Sequence, residues 1–147
     1  MVVSDALRDW LESDQVVRRP APVAEEEIQQ VESEIGHHIP GPLRQLLVTS
    51  GGPEGFLGES YIAFFNASDI AACWRQAQQM AAGFVPFASN GGGEWYGYDA
   101  RSPQCPFVLL PAVGIGWDDA MLLGESWNDF LGVLKAGNLF DRKYVHS

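Results

Sequence analysis

Asn90-Gly91-Gly92-Gly93-Glu94-Trp95-Tyr96-Gly97-Tyr98-Asp99 is the stretch that decides the fold of this chain. Asparagine and three glycines supply a turn, because both residue types tolerate left-handed backbone. A run rich in aromatics follows, which is strand composition. With Phe84-Val85-Pro86-Phe87-Ala88 ahead of the turn, the segment has the form of a β-hairpin. Pro86 predicts an edge or a bulge in the first arm. In the second arm, Trp95, Gly97 and Asp99 share one face, and Glu94, Tyr96 and Tyr98 the other. One face belongs to the core. The other is either a recognition surface or a second packed face.

Upstream of the hairpin the pattern is helical. Val3, Ala6, Leu7, Trp10 and Leu11 recur at helical spacing, predicting a helix over 2–13. Residues 14–22 read as a linker, with Arg18-Arg19 and two prolines. Ile28, Val31 and Ile35 mark a second helix from about Ala24 to Ile35, with Glu25, Glu26 and Glu27 at its positive end and Gly36 as its stop. Pro42 suits the first turn of a third helix, which buries Leu43, Leu46 and Leu47 and ends at Gly51-Gly52-Pro53. Residues 53–60 read as a glycine-containing loop and Tyr61–Phe65 as a strand. Asn66 with Asp69 resembles a capping box for a fourth helix to about Ala82, with Ile70, Cys73, Trp74, Ala77 and Met80-Ala81 inward.

Downstream, strands are expected at Phe107–Leu110 and Ala120–Leu123. Ser126 and Asp129 repeat the capping pattern before a last helix burying Trp127, Phe130, Leu131 and Leu134. The tail after Gly137 has no decisive pattern. Helices first, then strands joined by short turns, then a closing helix predict an α+β domain with a mainly antiparallel sheet and flanking helices. Residues 1–147 are read as a single domain, without repeats or low-complexity segments.

Composition narrows the function. The hydrophobic fraction is 46%, enough for a packed core. No apolar run reaches the roughly 18 residues of a bilayer span. The charged N-terminus does not fit a signal peptide, so a cytoplasmic protein is expected. Nineteen acids against nine bases give a net charge of −10. Direct nucleic-acid binding is disfavoured, since phosphates need a cationic face. An acidic surface serves solubility, or it steers a basic protein partner. Cys73 and Cys105 read as one buried helix thiol and one loop thiol rather than a disulfide.

Catalytic signatures are weak. His37-His38 are adjacent on a helix end and face different ways, which does not favour chelation. Gly91-Gly92-Gly93 lacks the lysine and hydroxyl residue of a phosphate loop. Gly114-Ile115-Gly116 lacks the third glycine of a dinucleotide fingerprint. Asp118, Asp119 and Glu125 read as solvated acids before they read as metal ligands. No nucleophile and base stand in a recognised arrangement. A non-enzyme is expected, with no cofactor and no metal.

The ordered motifs resemble the Smi1/Knr4 family of the SUKH superfamily. Glu32-Ser33-Glu34-Ile35-Gly36 followed by Ile39-Pro40 is similar to its Glu-x-x-Leu-Gly helix end and apolar-Pro step. Ser50-Gly51-Gly52 stands where the family has Asn-Gly-Gly. Asn90 to Asp99 resembles its hairpin, and Ser126-Trp127-Asn128-Asp129-Phe130-Leu131 its closing helix. The resemblance covers about residues 22–134, leaving helix 2–13 and tail 137–147 as additions. It implies an α+β fold without carried-over catalytic residues. It also implies a bacterial immunity protein that binds and neutralises a polymorphic secreted toxin, possibly a nuclease. The alternative is a non-catalytic regulatory or scaffolding module, as among fungal members. For a basic toxin partner, the candidate contacts are Glu54, Glu59, Glu94, Tyr96, Tyr98, Trp117, Asp118 and Asp119, aromatics anchoring and acids steering. Oligomeric state is left open.

Overall fold

A computed structural model describes residues 5–137. Residues 2–4 of the first predicted helix and the tail beyond 137 lie outside the described residues. The chain order is α1 (Asp5–Glu12), β1 (Val16–Arg18), α2 (Glu25–Ile35), α3 (Gly41–Thr49), β2 (Glu54–Leu57), β3 (Ser60–Phe64), α4 (Ala67–Ala77), β4 (Phe84–Ser89), β5 (Glu94–Asp99), β6 (Phe107–Pro111), a short 3₁₀ turn (Trp117–Asp119), β7 (Met121–Gly124) and α5 (Trp127–Ala136). The seven strands form one sheet in sequence order, and every neighbouring pair is antiparallel. The expected α+β architecture is therefore present, as a strict meander.

Two loop expectations are corrected. Within the linker 14–22, Val16–Arg18 pairs with β2. Within the loop 53–60, Glu54–Leu57 forms β2 and turns through Gly58-Glu59 into β3. Gly55 permits this: a Cβ there would sit 2.1 Å from the Gln15 carbonyl oxygen, so only glycine lets β1 approach. α4 is also shorter than expected. It ends at Ala77, and Met80 is 68% exposed rather than inward. Gln78 stops it by binding three backbone groups: its Nε2 donates to the carbonyls of Trp74 and Phe84, and its Oε1 accepts from Gly83 N–H.

The other local signals act as expected. Asn66 and Ser126 accept from the N–H groups of Asp69 and Asp129. Gly36 ends α2 in the left-handed region at φ 77. Glu32 explains the acid of that helix end. Its buried carboxylate accepts Ile39 N–H at 2.9 Å and pairs with Arg44, tying α2 to α3. Ser50 fills the asparagine place with a hydroxyl that donates to the Pro20 carbonyl at 3.0 Å. Asn90 organises the hairpin turn, its Oδ1 accepting from the N–H of Gly92 and Glu94. Pro86 sits at a bulge in β4, which makes Phe87 the extra residue opposite β5.

The main core lies on one face of the sheet and takes buried residues from all five described helices. Phe87 is its centre, within 6.5 Å, ring to ring, of Phe64, Tyr98, Phe107, Trp127 and Phe130. The opposite face carries a smaller core: Phe84, Val108 and Leu110 from the sheet, covered by Ala77, Ala81, Ile115 and Ala120. That cover reaches only part of the face.

Candidate partner-binding surface

The uncovered part of the second face is aromatic. Phe56 and Tyr61 oppose each other in the β2–β3 hairpin, with ring centroids 5.3 Å apart. Phe65 and Trp95 meet edge to face at 6.0 Å. Glu54, Ala63, Ser89, Trp95 and Leu110 form one cross-strand row. Alternation accounts for this set: Tyr61, Ala63 and Phe65 project opposite to the buried Ile62 and Phe64. Phe56 is 51% exposed, while Tyr61, Phe65 and Trp95 are half-buried. Large aromatics left partly in water on a rigid sheet suit a protein contact, because little rotamer freedom is lost on docking.

Charge frames this face. The Tyr61 hydroxyl donates to Glu54, and that bond holds the phenol above its ordinary pKa. Arg18 lies 3.6 Å from the same carboxylate. At the hairpin end, Glu94 accepts from the Asn90 amide at 2.7 Å. Other arginines are engaged elsewhere: Arg44 with Glu25 and Glu32, Arg75 with Glu34, and Arg101 with Asp99. Much of the small cationic complement is thus matched internally, and the excess carboxylates lie outward.

The predicted contacts fall into four groups. Glu54 and Glu94 border the aromatic face. Glu59 sits in the β2–β3 turn, its N–H bonded to the Lys135 carbonyl at 3.3 Å, and Asp118 and Asp119 are exposed before β7. Tyr96 and Tyr98 are corrected. They are 0% and 1% exposed and pack in the main core, so no partner reaches them in this fold. Burial also pushes both phenols above their usual pKa. Helices cover their face of β5 and leave the Trp95 side the more open one. Trp117 is largely committed within the chain: its indole N–H donates to the Ala82 carbonyl at 2.9 Å, and the Arg101 guanidinium lies 3.6 Å from its ring centre. Phe56, Tyr61, Phe65 and Trp95 were absent from the expected contacts. Their signal was the period-2 pattern, legible once Gly58-Glu59 is taken as a tight turn.

Chemistry elsewhere is sparse. Among the described residues no group of three His, Cys, Asp or Glu side chains could hold a metal ion. His38 Nδ1 stands 3.4 Å from Glu32 but is almost wholly in solvent. Cys73 and Cys105 form no disulfide and are half-buried, and burial followed by the Asp69 charge pushes the Cys73 thiol up to about 11. Among the described residues no helix is long and apolar enough to cross a membrane.

The chain is thus an α+β meander with an acidic outer shell and a partly open aromatic face. The SMI1 / KNR4 family (SUKH-1) matches residues 22–132, most of the chain, and the protein belongs to that family. A comparison with curated proteins finds no match.

Proposed function

We propose that this protein is a cytoplasmic, non-catalytic immunity protein that binds a cognate secreted toxin and neutralises it by direct contact. Family membership supports the class. The observation that carries the reading further is the open aromatic face of Phe56, Tyr61, Phe65 and Trp95, set in a chain of net charge −10. Aromatic residues anchor, and surrounding acids speed the encounter with a basic toxin such as a nuclease.

The test is co-expression with the product of the reading frame that flanks its gene. Growth rescue and a stoichiometric complex are expected. A complex that weakens in Phe56→Ala assigns the contact to the aromatic face. Persistent toxicity with no complex would overturn the immunity reading and favour a regulatory or scaffolding module with an endogenous partner.

A further inference from the structure

The two edges of the sheet are finished differently. β1 is three residues long, and Arg19 folds over it. Its guanidinium donates to the carbonyls of Leu11 (2.7 Å), Val16 (3.2 Å) and Ser13. Such devices blunt an edge against further pairing. Among the described residues β7 has no such cover. It bonds to β6 on one side, and among the described residues no hydrogen bond reaches its outer side.

A groove of about 500 Å³ runs between this edge and α5. Leu123 and Val133, both buried, form its floor, and Gly132 and Ala136 present small, exposed positions along its wall. The surroundings are mainly acidic, with Lys135 in the last turn of α5 as a base beside the groove. Asp118 and Asp119 precede β7, Glu125 and Asp129 follow it, and all four are exposed. From Ser102 to Leu134 the chain has no Lys, Arg or His. Arg101, just before this stretch, is engaged by Asp99 and Trp117.

We propose that the β7 edge and its groove take an extended, basic segment of a partner protein as an eighth strand. Main-chain bonds to Met121–Gly124 would hold it, alternate apolar side chains would enter the groove, and lysines or arginines would meet the four carboxylates. A second copy of this chain is the poorer occupant, because joining two β7 edges would bring like charges together. The site is separate from the aromatic face and does not depend on the immunity reading.

The probe is the blocked peptide Val-Lys-Val-Lys-Val-Lys-Val, added to the full-length ¹⁵N-labelled protein and followed by NMR. Saturable shifts are expected at Met121–Gly124 and along the α5 wall, with slower amide exchange on the β7 edge. The Val-Glu counterpart and a peptide N-methylated at alternate residues should not bind. Gly132→Phe fills the groove from an exposed position where a Cβ meets nothing within 4 Å, and its urea midpoint checks that the fold is retained. It should weaken binding about tenfold, whereas Gly132→Ala should leave it unchanged. The absence of saturable shifts at β7, equal binding of the acidic or N-methylated peptide, or indifference to Gly132→Phe would each overturn the proposal.

Discussion

The two faces of β5 carry the same kind of side chain and lead different lives. Tyr96 and Tyr98 point into the main core, against Phe130 and Phe87, and lose essentially all contact with water. Trp95 points the other way, leans on Phe65 and the smaller core, and stays half-buried. Alternation along a strand fixes which residues travel together. Which set becomes core depends on how much helix lies over each face. Here residues from all five described helices join the first core, while the end of α4 and the 112–120 loop cover part of the second. An aromatic strand is therefore no guide to a recognition surface until its covered face is known.

The largest break in this contrast comes from Phe87→Ala. Phe87 joins β4, β6 and α5 through its ring contacts, so truncation leaves a cavity that the sheet cannot close. A loss of about 3–5 kcal/mol in urea unfolding is expected. A loss under about 1 kcal/mol would show that this face is not the main core.

Asp99→Asn tests what fastens the second face. The Asp99 carboxylate is fully buried and grips Arg101 through Oδ1 (2.9 Å) and Oδ2 (3.0 Å), and Arg101 stacks on Trp117. Arg101 keeps some access to water, so a loss of about 2–3 kcal/mol is expected, below the range for a wholly buried pair. Trp117 should also become more accessible to a fluorescence quencher. Unchanged quenching would mean that the 112–120 loop is held without the Arg101 stack.

Phe56→Ala sharpens the contrast from the open side. The ring is half in water, so stability should fall by less than about 1 kcal/mol. Affinity for the proposed toxin partner should fall by about 2 kcal/mol if Phe56 anchors the contact. Calorimetry on folded protein separates the two quantities. Unchanged affinity would remove the aromatic face from the interface.

The sequence carried the helices, their caps and five of the strands, because those signals are local. Asn66, Ser126 and Gly36 act on residues within a turn of themselves. β1 and β2 were hidden because their evidence is distant. Val16-Val17-Arg18 is too short to show alternation, and Gly55 reads as a loop breaker until β1 is seen to pass beside it. Met80 continued an apolar rhythm that Gln78 cuts short by bonding to Phe84 and Gly83. The candidate surface was legible only in part. Glu54 and Glu94 lie at its border, but the tyrosines chosen with them were core, since one strand cannot reveal what covers it.

The smallest expected effect lies within the core face itself. Tyr96 and Tyr98 are equally buried, yet their hydroxyls differ. Tyr96 donates to the Tyr61 carbonyl at 3.0 Å, whereas the Tyr98 hydroxyl meets no hydrogen-bond partner among the described residues. Tyr96→Phe removes a bond between β5 and β3 and leaves a carbonyl without that donor, so a loss of about 1 kcal/mol is expected. Tyr98→Phe removes a buried hydroxyl that returns no bond, so the change should be near zero or stabilising by up to about 1 kcal/mol. Urea midpoints compared at a common m-value resolve the pair. If both variants lost stability equally, the Tyr98 hydroxyl would have an acceptor of its own, and the two tyrosines would be interchangeable parts of one packed face.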